Sequence, residues 1–120
     1  MNKPVLGLTE TIVILSDGKA EKVKAKIDTG ATKSSIDTDL AIKLKVGPIV
    51  ETKLVKSAHG NSIRPVVHVS IILAGKKFDA DFTLAERGHM KYSVLIGQNI
   101  LKKGFMVDPS KKEGSFHMMM

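Results

Sequence analysis

Asp28-Thr29-Gly30-Ala31, with the stretch that runs into it, Glu21-Lys22-Val23-Lys24-Ala25-Lys26-Ile27, decides how this chain folds. From Glu21 to Ile27 polar and apolar residues alternate with a period of two, the mark of a strand with one buried and one solvated face. The alternation stops at an acid. A carboxylate at the end of such a strand sits at the mouth of a core-forming element. The following Gly30 permits backbone conformations closed to other residues, so amides can approach the carboxylate closely. Turn chemistry alone also places Asp-Thr-Gly at strand ends, so the tetrapeptide by itself admits a functional and a purely structural reading.

Strands surround it in both directions. Thr11-Ile12-Val13-Ile14-Leu15 is a β-branched run ended by Asp17-Gly18, a two-residue hairpin signal. After Gly30, Asp37 or Thr38 can cap a short helix over residues 39–44, which Gly47-Pro48 ends. Residues 49–56 and 63–73 read as the arms of a long hairpin tipped by residues 57–62, with Pro65 near an arm's start, where a missing N–H is tolerable. Ala74-Gly75-Lys76-Lys77 turns the chain into another alternating run, Phe78 to Leu84. A polar segment follows, and then Ser93-Val94-Leu95-Ile96-Gly97-Gln98-Asn99-Ile100-Leu101. Here two aliphatics precede a glycine and a short helical pattern; taken alone this is a buried strand ending at a turn. Residues 105–108 suit a last strand, and those from about 110 to 120 a flexible tail. The expected architecture is a single domain over residues 1–120, mainly β, with one or two short helices, closed as a small barrel or packed as a sandwich.

Composition narrows the function. The chain has 120 residues, enough for one domain, with 42% hydrophobic and 26% charged residues and only 4% aromatic. It has no cysteine, which excludes disulfides, thiol catalysis and cysteine-based zinc sites. Met1-Asn2-Lys3-Pro4 opens no signal peptide and no apolar run is long enough to span a membrane, so a cytoplasmic location is expected. The net charge of +7 comes mostly from lysines on strand faces and turns, such as Lys22, Lys24, Lys26, Lys76 and Lys77. Aromatics that would stack on bases are not interleaved with them. The charge therefore reads as a solvated lysine coat, not as a nucleic-acid footprint.

Taken together, the Asp28-Thr29-Gly30-Ala31 strand end, the long hairpin and Leu95-Ile96-Gly97 ahead of a helix resemble the retropepsin-like aspartic peptidases. The resemblance implies a small closed β-barrel of the retropepsin (acid protease) type. It makes Asp28 the catalytic aspartate and Thr29 the residue that braces two active-site loops across a dimer, with Gly30 and Ala31 completing the loop. Leu95, Ile96 and Gly97 match the segment packed beneath it. His59, Gly60 and Asn61, at the hairpin tip, stand where such proteins carry a substrate-binding flap. Ile63-Arg64-Pro65-Val66-Val67, residues 84–91 and residues 95–109 further resemble small prokaryotic proteins labelled ATP-dependent zinc proteases. That family shares the retropepsin fold and is associated with ATP-grasp glutamate ligases. Its members commonly carry Arg where this chain has Gln98.

The residues themselves do not support the label's two cofactors. ATP needs a phosphate-cradling glycine loop, and none occurs. Zinc needs three or four converging ligands, whereas His59, His68, His89 and His117 are scattered along the chain. No cofactor and no metal are therefore expected. His59 at a hairpin tip and His68 on an alternating strand read as solvent-facing, and Arg64 and Arg87 as structural or dimer-contact residues.

Aspartic peptidase chemistry needs two carboxylates around one water, and the sequence holds a single Asp-Thr-Gly. A symmetric homodimer, each copy giving one Asp28, is therefore the expected active form, acting on a peptide or protein substrate. The competing expectation is a non-catalytic module of the same fold that holds an extended peptide in the dimer cleft. It could serve a glutamate-ligase system.

Overall fold

The computed structural model describes residues 3–58 and 60–111. Strand β2 (Thr9–Ser16) pairs with β3 (Lys19–Ile27) in unbroken antiparallel register from Thr9↔Lys26 to Ser16↔Lys19. Asp17 and Gly18 turn between them with φ of 53° and 72°, the left-handed geometry that a two-residue hairpin requires. Strand β4 (Ser34–Asp37) leads into α1 (Thr38–Lys43), and the Asp37 side chain caps that helix by accepting from the Leu40 N–H at 3.3 Å. Strands β5 (Ile49–Ser57) and β6 (Gly60–Leu73) make the long hairpin. A second tight turn, Ala74-Gly75 with φ of 49° and 79°, leads into β7 (Lys76–Ala85). Strand β8 (Val94–Ile96) and helix α2 (Gln98–Leu101) follow, and β9 (Met106–Val107) lies parallel to β1 (Val5–Leu6).

Six strands close on themselves in the order β2-β3-β8-β4-β7-β6. The seam is an antiparallel pairing of β2 with β6 at Val13↔Ile72, Ile14↔Ile71 and Leu15↔Ser70. Closure decides between the two expected architectures: this is a barrel, and β5 extends the hairpin beyond it on the free edge of β6. The interior is aliphatic, with Leu6, Ile12, Ile14, Ile36, Ile71, Leu73, Ile96 and Ile100 all buried, and Phe82 is the one aromatic among the largest fully buried side chains described. Each such aliphatic contributes about 1.5–3 kcal/mol by leaving water, which lets a chain with few aromatic residues build a core.

The order of strands fixes the path of the critical loop. Strand β8 lies between β3 and β4, parallel to the first and antiparallel to the second. The segment that joins β3 to β4, residues 28–33, must therefore pass over the end of β8, where Gly97 stands.

Two strands differ from the sequence-based expectations. Strand β1 was not expected, and neither was β4, although all four of its residues are buried. Ser34 and Asp37 give no local strand signal, because groups that satisfy them lie far along the chain. The Arg87 N–H donates to Asp37 Oδ1 at 2.7 Å, and the Gly97 N–H to Ser34 Oγ at 2.9 Å. Of the expected tail, residues 112–120 lie outside the described residues. Lys111, just before it, is tied down: its Nζ donates to the Val5 carbonyl at 2.8 Å and to Glu10 Oε2 at 3.2 Å.

Candidate active site

Strand β3 delivers Asp28 to the end of β8, where the Asp28 N–H donates to the Ile96 carbonyl at 2.9 Å. The carboxylate is half-buried, and its Oδ1 accepts from the Gly30 N–H at 2.9 Å. From the sequence, Gly30 was read as permitting backbone conformations closed to other residues, so that amides can approach the carboxylate. Gly30 does not occupy the left-handed region; a Cβ there would meet Asp28 Oδ1 at 3.3 Å, so its lack of a side chain matters for close approach. Thr29 and Gly30 are both exposed, and Ala31 is partly so.

The loop is laced to the segment after β8. The Gln98 N–H donates to the Ala31 carbonyl at 2.8 Å and the Asn99 N–H to the Thr32 carbonyl at 3.2 Å. The Gln98 side-chain amide donates to the Thr29 carbonyl at 2.8 Å. Gln98 thus braces the backbone of the exposed loop. Gly97 is where the two segments touch. A Cβ there would lie 2.3 Å from the Lys33 carbonyl oxygen and 2.9 Å from that of Ala31, closer than any side chain permits. Its backbone (φ −106°) is one that any residue adopts, so the glycine answers to packing alone.

The structure thus brings Asp28, Thr29, Gly30 and Ala31 together with Ile96 and Gly97. Leu95 stands one position back, paired with Lys26 and Ser35. His59 lies outside the described residues. Gly60 and Asn61 are exposed and pair with Ser57 and Lys56, so they belong to the closed end of the hairpin. His68 is exposed, and its Nδ1 lies against the Asp81 carboxylate. Among the described residues, no three His, Cys, Asp or Glu side chains gather as a metal site.

Arg87 is buried to an extent that its sequence neighbourhood did not announce. It is only 8% exposed, and its Nε donates to the Tyr92 carbonyl at 3.1 Å. Burial pushes the pKa of its guanidinium below the ordinary value; Asp37 opposes the shift, Arg64 adds to it, and Asp28 opposes it. Arg87, Arg64 and Asp28 therefore share one electrostatic neighbourhood. A cavity of about 250 Å³ opens beside Arg87, lined also by Leu8, Lys26, Met90, Lys91 and Tyr92. A second, of about 410 Å³, borders the loop at Thr29, Gln98, Leu101, Phe105 and Val107. The polar stretch 86–91 carried no sequence signal for a buried cation. Ser34 and Asn99, which bond to each other at 2.7 Å behind the loop, were equally silent.

A closed six-stranded barrel with an Asp-Thr-Gly loop crossed over a glycine invites comparison with known proteins. Residues 37–115 match the model of the RimB-like family, described as retropepsin-like aspartic endopeptidase RimB. The chain belongs to that family. The match begins after the Asp28 loop, so membership of the RimB-like family rests on the part of the chain from α1 onward, including the long hairpin and the segment around Gly97.

Solved structures show the same fold. EIAV protease, complexed with the inhibitor HBY-793, superposes with a TM-score of 0.64 at 22% identity, covering 79% of this chain and 85% of the viral one. A Legionella pneumophila protein of unknown function superposes with a TM-score of 0.63, also at 22% identity, over 92% of this chain and 96% of its own. Among curated sequences, a probable alpha-L-glutamate ligase of Shewanella pealeana is 27% identical across 92% of this chain and 29% of its own length. The chain thus spans less than a third of that relative. No helix among the described residues is long and apolar enough to cross a membrane.

Proposed function

We propose that this protein is an aspartic endopeptidase whose active form is a homodimer, with one Asp28 from each copy. The observation that carries the reading is the state of the Asp28 loop. Its carboxylate is half-buried and held by the Gly30 amide, while Thr29 and Gly30 face solvent, and the sequence supplies no second Asp-Thr-Gly to meet it. A second copy related by a two-fold axis brings the matching carboxylate to the same place.

In that arrangement the two carboxylates hold one water and one proton between them, since like charges at contact cannot both be ionised. One carboxylate takes a proton from the water as it attacks the scissile carbonyl, and the other gives its proton to the carbonyl oxygen. When the C–N bond of the resulting diol breaks, the proton taken from the water passes to the leaving amine, and a diol hydroxyl returns its proton to the second carboxylate. Activity falls on the alkaline side as the shared proton is lost. The hairpin of β5 and β6 closes over the substrate, using the exposed Leu54 and Ile63, which pair across its strands.

The cavity beside Arg87 supports a reading of the substrate class. Leu8 and Met90 offer apolar surface to a methylene stem, and Arg87, Lys26 and Lys91 offer positive charge to its end. That combination suits an acidic side chain such as glutamate. The kinship with probable glutamate ligases supports the same reading: this peptidase trims or processes peptides rich in glutamate.

Replacing Asp28 tests the chemistry. Asp28→Asn is expected to abolish cleavage of an acidic peptide while the protein stays folded. Cleavage that persists in Asp28→Asn sinks the peptidase reading, and activity that a chelator removes and zinc restores replaces it with a metal mechanism. A folded wild-type protein that binds the peptide without cutting it would make the cleft a binding module.

A further inference from the structure

The loop that carries Asp28 is fastened by a hydroxyl that no solvent reaches. Ser34 is fully buried at the start of β4. Its Oγ accepts from the Gly97 N–H at 2.9 Å and lies 2.7 Å from Asn99 Oδ1, while Asn99 Nδ2 donates to the Asp81 carbonyl at 3.0 Å. These contacts allow one arrangement of protons. A carbonyl oxygen only accepts, so the amide NH₂ of Asn99 faces Asp81 and its oxygen faces Ser34. The Ser34 hydroxyl must then give its proton to Asn99 and turn a lone pair to Gly97. Thr83 adds a bond from its hydroxyl to the Ser34 carbonyl at 3.3 Å. The network ties β4, β7 and α2 to the glycine over which the loop crosses.

We infer that Ser34 and Asn99 are positioning residues for the Asp28 carboxylate, acting through the amide of Gly97; the inference rests on the peptidase reading. Gly97 has no side chain by which it could be held, so its backbone is the only handle. Its neighbours on each side grip the loop: the Ile96 carbonyl accepts from Asp28, and the Gln98 N–H donates to Ala31. A displacement of Gly97 therefore moves both ends of the Asp28 turn. Two carboxylates that share one proton tolerate little displacement, and a misplacement of about 1 Å at a reacting group can cost roughly 100-fold in rate. Ser34 and Asn99 touch no substrate in this scheme. They set where the carboxylate stands.

The test uses the full chain and compares wild type with Ser34→Ala, Ser34→Thr and Asn99→Leu, by amide hydrogen exchange and by cleavage of an acidic peptide. Ser34→Ala and Asn99→Leu are expected to speed exchange at the Asp28 and Gln98 amides by about tenfold or more relative to barrel amides such as Ile14 and Ile71. Ser34→Thr keeps the hydroxyl and should stay near wild type. The cleavage rate constant should fall about 100-fold in the first two variants with KM little changed. Loop exchange that stays at the wild-type rate in Ser34→Ala overturns the inference. Equal acceleration throughout the barrel overturns it as well, since the pair would then serve only general stability. Should Ser34→Ala fail to fold, Asn99→Leu, at a partly exposed position, makes the same comparison. If the wild type cleaves nothing, the peptidase reading falls, and the exchange rates still decide whether the pair sets the loop.

Discussion

The Asp28 loop and the β5–β6 hairpin, the two regions that the proposed peptidase would bring to a peptide, are held in different ways. Residues 28–34 are tied to residues 96–99 by the bonds at Asp28, Ala31, Thr32, Thr29 and Ser34, and the crossing is so tight that Gly97 has no room for a methyl group. The β5–β6 hairpin beyond Pro65 is held by its own ladder, and every side chain described from Ile49 to Ile63 is exposed. Segments with few buried contacts open at low cost, whereas a segment laced to a buried strand end opens at a higher one. The two regions therefore play different parts. On the proposed peptidase reading, the loop would hold a reacting group still and the hairpin would admit and cover a chain.

Substitutions in the two regions should separate them. Gly97→Ala drives a Cβ into the Lys33 carbonyl and is expected to cost about 3 kcal/mol or more, read as a shift of the chemical denaturation midpoint. A wild-type midpoint for Gly97→Ala would mean that the crossing is loose, and the contrast would break. Gly60→Ala on the hairpin meets open space, and only its φ of 108° resists; a cost of about 1 kcal/mol is expected. Arg87→Met should change stability by no more than about 1 kcal/mol, because loss of the hydrogen bond to Tyr92 is offset by relief of a buried charge. The preference for acidic over neutral peptides should collapse in the same variant, as measured by the ratio of kcat/KM values. Burial lowers the Arg87 pKa, so the unfolded chain binds that proton more tightly, and wild-type stability gains from Arg87 only as pH rises into the strongly alkaline range. The Met variant should lose that alkaline gain. The smallest expected effect on stability is at Ile63, 72% exposed: Ile63→Ser should move the midpoint by less than about 0.5 kcal/mol while weakening peptide binding. A large loss of stability there would show that the hairpin is as firmly packed as the loop.

What the sequence disclosed and withheld follows the range of the interactions. The alternation of β3 and the turns at Asp17-Gly18 and Ala74-Gly75 are set by neighbouring residues and could be read directly, and the helix cap was narrowed to Asp37 or Thr38, of which Asp37 serves. Strand β4 could not. Ser34 and Asp37 are polar, and their burial is permitted by partners at Arg87, Gly97 and Asn99 that no local pattern reveals. Gly97 was recognisable as a motif glycine, but the reason for it, the carbonyl of Lys33 pressed against its Cα, depends on β8 lying between β3 and β4. Arg87 had no periodicity to betray its burial, so the cationic cavity beside it came only from the fold.

Whether Asp28 is half of a site is tested most directly by mixing subunits. Wild type and Asp28→Asn chains are unfolded together in equal amounts, refolded, and assayed against an acidic peptide at fixed total protein. If each dimer needs two Asp28 carboxylates and the chains mix at random, only about a quarter of the dimers are competent, and activity should fall to about one quarter of the all-wild-type value. Activity of about one half would mean that each wild-type chain cleaves on its own, and would contradict the shared site.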